Sequence, residues 1–133
     1  MTVFKLSGKR FVCVAICALF IGCASEITRV PTRFSPAQES GEKQMVIART
    51  VDVNPTSGYS RTFKKGSTWK YVGRVPQGRV YAVQNDVFML EGKHMREAYC
   101  VLDSDGLLVG FYLPVEQAFA AVSPPVRLPI NFK

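Results

Sequence analysis

The chain is poor in the residues that most often declare a chemistry. Histidine occurs once, at His94, and tryptophan once, at Trp69. Three of the four cysteines, Cys13, Cys17 and Cys23, fall in the first 23 residues, so the remainder keeps only Cys100 and has no internal disulfide. Cys100 lies in the apolar run Ala98–Leu102 and reads as a buried small hydrophobe. No hydrophobic run reaches the ~18–20 residues that a spanning helix needs; the longest, Phe11 to Ile21, has 11 residues. Acidic residues are missing altogether between Asp52 and Asp86.

These shortages exclude more than they suggest. A single histidine beside Lys93 and Arg96 has no carboxylate or nucleophile near it in sequence, and reads as an exposed turn residue. Ser57, Ser60 and Ser67 stand in no nucleophile elbow and in no Ser-x-x-Lys pattern. Glu91, Glu97, Asp103, Asp105 and Glu116 are scattered. A glycan hydrolase, which needs two carboxylates facing each other across a cleft, therefore ranks last among the functional readings. No catalytic residue, cofactor or metal ligand is assigned, and the expectation is a protein that binds and is not an enzyme.

What is present begins at the N-terminus. Lys5, Lys9 and Arg10 precede the apolar run Phe11–Ile21, and small Gly22 stands before Cys23. A positive segment followed by a short apolar helix is the physics of a signal peptide. The segment Leu19-Phe20-Ile21-Gly22-Cys23 resembles the lipobox of bacterial lipoproteins, with Phe20 standing where that family usually carries an aliphatic residue. The resemblance covers only the first ~25 residues. It implies cleavage before Cys23, a diacylglycerol on its thiol and acylation (palmitate-type) of its new amino group. Because Ala24, not Asp, follows the cysteine, it also implies an outer-membrane location facing the periplasm in preference to the inner membrane. Ordinary cleavage after Ala24 or Ser25, with release of a soluble protein, is the competing reading.

The organisation expected is a signal peptide at 1–22, a lipidated cysteine with a flexible tether at 23–43, and one small globular domain at 44–133. Removal of 22 residues leaves 111, enough for a single modest core without obligatory metals or disulfides. The tether contains two prolines and scattered charges without a sustained period.

The domain reads as all-β, mainly antiparallel, a small barrel or sandwich. Strands are expected over 45–53, 59–63, 68–73, 79–83, 86–90, 97–102, 107–113 and 126–132, the last at an edge because of Pro129. Asp103-Ser-Asp-Gly106 joins two of them with Asp-Gly, a strong hairpin signal. One short helix is expected near 115–122, between Pro114 and Pro124.

Charge supplies the candidate site. The precursor carries +7. Without the three basic residues of the leader the balance is 14 basic against 10 acidic, or +4. Arg61, Lys64, Lys65, Lys70, Arg74 and Arg79 all fall in the acid-free stretch and interleave with Tyr59, Phe63, Trp69, Tyr71 and Tyr81. A solvated outer face above an aromatic core is the plain reading; a surface for anions or an acidic partner is the functional one. Phe111, Tyr112 and Phe119 form a second candidate, an apolar partner patch, and Ser123–Ile130 an extended segment offered to another protein's sheet edge. The partners expected are the membrane, through acylated Cys23, and an envelope protein or anionic envelope polymer. Nucleic acid is not expected of an exported protein. The working function is a lipid-anchored envelope binding module; the alternative is an accessory lipoprotein of a secretion, conjugation or phage-encoded apparatus.

Overall fold

The computed structural model describes residues 26–38 and 43–133. The leader and Cys23 lie outside the described residues. Every element among the described residues is a strand. In chain order they are β1 (Val30–Pro31), β2 (Ser35–Pro36), β3 (Gln44–Ile47), β4 (Val51–Val53), β5 (Arg61–Phe63), β6 (Thr68–Val75), β7 (Gly78–Val83), β8 (Met89–Leu90), β9 (Arg96–Glu97), β10 (Tyr99–Leu102), β11 (Leu107–Leu113), β12 (Ala118–Arg127) and β13 (Ile130–Phe132).

Nine strands make one antiparallel sheet, ordered β1-β12-β11-β10-β7-β6-β3-β13, with β2 also on β6. The register slips between Tyr71 and Gly73, between Val101 and Leu102, and between Leu108 and Gly110. Irregularities of this kind increase local twist and bend the strands that carry them, so the sheet curls over its own concave face. β13 follows β12 after Leu128 and Pro129 and pairs with β3, which brings the two ends of the sheet near each other. The hydrogen-bonded path still has two ends and is not a closed barrel. The architecture is the small all-β, mainly antiparallel one expected, in an open, sandwich-like form.

The concave core follows from period-two patterning. Met45 and Ile47 of β3, Trp69 of β6, Tyr81 of β7, Cys100 and Leu102 of β10, and Phe111 and Leu113 of β11 are buried together. Two short ribbons, β4-β5 and β8-β9, lay Val53, Phe63, Phe88 and Leu90 onto the same cluster. Phe63 sits 5.2 Å from Trp69 and 5.1 Å from Phe88, centroid to centroid, and Phe88 sits 5.6 Å from Phe111. Cys100 is buried as expected, and burial pushes its thiol pKa up.

The hairpins with explicit turn chemistry form where their sequences place them. Val75 pairs with Gly78 across Pro76-Gln77. In the β10-β11 turn, Asp103 Oδ1 accepts bonds from the Asp105 and Leu107 amides, and Gly106 takes φ +80°.

Three expectations are corrected. The helix near 115–122 does not exist: Pro114–Gln117 is a turn, and Ala118–Val122 opens β12. Ala118, Ala120 and Val122 face the concave core while Phe119 faces the other way. That alternation of two is masked in the sequence by the alanines, and pairing with β11 overrides their helix preference. The strand expected over 45–53 is broken by bends at Ala48 and Arg49 into β3 and β4, which belong to different sheets.

The third correction concerns the tether. Residues 26–38 do not stand free but lie along the domain. Ile27 is 1% exposed in the concave core. The chain then crosses the convex face, where β1 pairs with β12 and β2 with β6. Phe34 stacks on Tyr112 at 4.9 Å and 13°, over a second cluster of Val75, Val80, Val101, Tyr112 and Phe119. Gly73 makes room: a Cβ there would meet the Ser35 carbonyl and the Phe34 ring. Thr32 donates to the Gln117 carbonyl and Ala37 to that of Val72. The segment is a strap.

If the strap is part of the cooperative fold, Phe34→Ala lowers the unfolding free energy by about 2 kcal/mol, less than the ~3–5 kcal/mol of a fully buried phenylalanine. Gly73→Ala produces a comparable loss. Urea unfolding of both variants checks this, and an unchanged midpoint contradicts it.

Candidate functional site

The concave face is open at the end formed by the β6-β7 and β10-β11 turns. A cleft of about 310 Å³ there is lined by Lys43, Tyr71, Arg74, Gly78, Arg79, Leu102, Asp103 and Ser104. A second space of about 470 Å³ shares Lys43, Arg79 and Ser104 with it and adds Asp105, Gly106, Phe132 and Lys133. The strands explain the arrangement. Arg74 and Arg79 are cross-strand neighbours, one pair inward of the turn. Lys133 reaches the rim because its amide donates to the Gln44 carbonyl, continuing the β13-β3 ladder past Phe132.

Among the described residues the mouth carries four basic side chains against two carboxylates. None of Lys43, Arg74, Arg79 and Lys133 makes an ion pair among the described residues. Two described acids are nearby: Asp103, whose Oδ1 accepts from two turn amides, and the exposed Asp105. Like charges directly opposite each other on a sheet are destabilising, and Arg74 and Arg79 occupy such a pair. Tyr71 and Tyr81, with centroids 5.7 Å apart, stand on paired positions of the same two strands. Burial raises the Tyr81 pKa, with Arg79 opposing and Cys100 and Tyr71 adding to the rise; the phenol is neutral at physiological pH. The mouth can therefore offer cationic donors and an aromatic wall to an anion.

The six basic residues expected to share one surface are divided. Arg74 and Arg79 reach the mouth. Arg61 instead bonds Glu91 at 2.9 Å and lies 5.4 Å from the Phe88 ring centroid, its buried Nε without a partner. Lys64 and Lys65 are exposed on the β5-β6 turn, and Lys70 is half-buried on β6, on the face opposite Trp69 and Tyr71. Lys43 and Lys133 were missed. They are joined to the mouth only by pairing of the chain's distant parts, and no local pattern announces it.

The apolar candidate patch is not a surface. Phe111, Tyr112 and Phe119 are all buried, Phe111 in the concave core and the other two under the strap. Ser123–Ile130 is likewise engaged: Val126 pairs with Leu108, Arg127 with Leu107 and Ile130 with Ile47. Among the described residues no three His, Cys, Asp or Glu side chains are placed to share a metal ion, and no helix is long and apolar enough to cross a membrane.

The opposite end of β10, β11 and β12 carries a second charge cluster, this one closed on itself. Arg96 Nε lies 2.5 Å from Glu116 Oε1, and Arg96 Nη2 lies 2.7 Å from Glu26 Oε1. Arg29 Nε lies 2.6 Å from Glu116 Oε2, and its Nη1 lies 3.5 Å from Glu26 Oε1. Each arginine touches both glutamates, so the four charges cancel in a ring that ties the start of the strap to β9 and to the β11-β12 turn. Desolvation acts to raise the Glu26 pKa, but the Arg96 hydrogen bond and the charges of Arg96, Arg29 and His94 outweigh it and hold the carboxyl below its ordinary range. His94 itself is exposed on the β8-β9 turn.

No protein-family model, curated protein or solved structure matches this chain.

Two outcomes are expected. Arg74→Gln removes the cross-strand repulsion and raises the stability of the unliganded protein by ~0.2–1 kcal/mol, read as a higher thermal midpoint; a lower midpoint contradicts it. At the other end, the lowered Glu26 pKa makes the ring's contribution complete above the unfolded glutamate range near ~4.3. It is lost as pH falls through the lower folded-state value. Protection of the Thr32 amide from hydrogen exchange, relative to its intrinsic rate at each pH, should fall over that acid window, and Arg96→Met should abolish the Glu26 component of the pH dependence.

Proposed function

We propose that the protein is a lipid-anchored bacterial envelope lipoprotein whose β-domain binds an anionic envelope component at the mouth lined by Lys43, Arg74, Arg79 and Lys133. The anchor rests on the lipobox-like Leu19–Cys23 segment and the charged and apolar segments before it. Several acyl chains, each contributing ~0.8 kcal/mol per buried CH₂, hold a protein on a membrane almost irreversibly.

One observation carries the binding site: the opposed Arg74-Arg79 pair, which makes no ion pair among the described residues. A fold retains like charges at adjacent positions against a stability cost when a ligand supplies the counter-charge, since selection for function tolerates such losses. Guanidinium groups give paired, planar donors suited to phosphate or carboxylate oxygens. The ligand class is therefore an acidic polymer or an acidic protein segment. Binding without chemistry suits a site that offers cations and a tyrosine wall.

Intact mass and detergent-phase partitioning of the expressed protein, beside Cys23→Ala, test the anchor: acyl mass and detergent-phase behaviour are expected, and both should vanish in the variant. A soluble product of unmodified mass removes the lipoprotein reading. For the site, Arg74→Glu with Arg79→Glu should weaken retention on purified envelope fractions by about tenfold, equivalent to ~1.4 kcal/mol. Lys64→Glu with Lys65→Glu, away from the mouth, should leave it unchanged. Equal effects of the two pairs would reduce the mouth to general surface charge.

A further inference from the structure

The strap turns the position of the anchor into a geometric constraint. Glu26 is already fixed in the ion-pair ring, and Ile27 is buried in the core. Only Ala24 and Ser25 separate Glu26 from Cys23. Three Cα steps span at most ~11 Å. An acylated Cys23 therefore leaves no slack for the domain to stand off the bilayer, and the end of the domain around Glu26 must meet the lipid.

That end has the composition such a contact requires. The loops that converge on the strap's first residues are tied to it directly. Thr28 donates to Ser57 Oγ, Tyr59 to the Glu91 carbonyl, and Arg96 and Glu116 complete the ring. On these loops Tyr59 is 60% exposed, Met95 55% and Val115 85%. Of the acids beside them, Glu26 and Glu116 are compensated by Arg29 and Arg96, and Glu91 by Arg61, while Glu97 on β9 makes no ion pair among the described residues. Lys93 and His94 are exposed between them, and Lys93 makes no ion pair among the described residues. Carboxylates that are mostly paired, the exposed cation of Lys93 and three projecting apolar tips match an anionic headgroup layer over hydrocarbon.

We infer that the protein docks through Tyr59, Met95 and Val115 directly on the bilayer that holds its acyl chains, with Lys93 against anionic headgroups. The inference rests on the anchor proposed above. The basic mouth then faces away from the membrane. The strand β11 runs from the Asp103–Gly106 turn of the mouth to the β11-β12 turn, and its seven residues span roughly 20 Å at ~3.3 Å per residue; the β6-β7 turn lies nearer, since Thr32 bonds both Gln77 and the Gln117 carbonyl.

Cys100 is fully buried, which leaves introduced thiols available for selective labelling in the mature, acylated full chain. Met95→Cys, Val115→Cys and Ser104→Cys are each labelled with a polarity-sensitive fluorophore. The labelled proteins are reconstituted in vesicles of phosphatidylethanolamine and phosphatidylglycerol containing a headgroup-depth quencher lipid. Labels at 95 and 115 should shift to the blue and be quenched, while the label at 104 on the mouth should behave as in water. Replacing phosphatidylglycerol by phosphatidylcholine should reduce quenching at 95 and 115, and so should Lys93→Glu. If protein of verified acyl mass sits on the vesicles with all three labels in water, the anchor stands and the docking face is wrong. If no acyl mass is found and the protein stays off the vesicles, the anchor and the docking face fall together. Equal quenching at all three sites means that the protein lies on its side and overturns the assigned orientation.

Discussion

The strands β10, β11 and β12 carry apolar side chains on both faces, and curling a sheet can bury only one of them. Cys100, Phe111 and Ala120 point into the concave core, whereas Val101, Tyr112 and Phe119 point out of it. Exposed together, the second set would be an aggregation-prone patch. No helix and no second sheet covers it among the described residues. Residues 30–36 do, with Phe34 laid flat on Tyr112 and Gly73 left bare so that the strap can approach. The rest of the molecule depends on that cover, because a strap held down along its length fixes where the N-terminal chain leaves the domain.

The ion-pair ring has to be judged in this light. Partly exposed pairs are individually worth ~0–1 kcal/mol, and the ring adds little to stability beside two apolar clusters. Its consequence is geometric. Arg96, the least exposed of the four at 11%, holds two carboxylates from different segments, so the strap begins at one defined place against β9 and the β11-β12 turn. A charged ring that cancels internally also leaves that end without the acidic excess that would repel an anionic surface.

What was legible in the sequence followed the range of the interaction responsible. Asp103–Gly106 encodes its turn locally, through a side-chain oxygen two and four residues from the amides it accepts and a glycine at positive φ. The burial of Cys100 and Trp69 followed from their place in alternating strands. The strap was not legible, because its fastening is made of contacts such as Thr28 with Ser57 and Thr32 with Gln77, which lie 29 and 45 residues apart. A proline-bearing polar segment carries the composition of a linker whether or not it docks. The run from Ala118 to Val122 misled for a different reason: alanine satisfies a helix and a buried strand equally, and only the opposite orientation of Phe119 distinguishes them. The basic stretch was legible as charge but not as a site. Glu91 and Phe88 claim Arg61, whereas Lys43 and Lys133 join Arg74 and Arg79 from opposite ends of the domain.

An anchor with slack and an anchor without it make different binding modules. A flexible tether lets a domain sample a wide volume, and its effective concentration near any one partner falls with tether length. A domain seated on the bilayer gives up that reach. Its mouth is held at a fixed height above the lipid and in one orientation, so an encounter with a surface-parallel polymer or a neighbouring envelope protein loses less rotational freedom on binding. Under the docking proposed above the strap replaces a spacer with a spacing, and Lys43, Arg74, Arg79 and Lys133, which make no ion pair among the described residues, lie at the end away from the anchor. In the proposed orientation the cations point away from an anionic headgroup layer, whose field is screened within ~8 Å at physiological salt, and are left to a soluble or wall-borne anion.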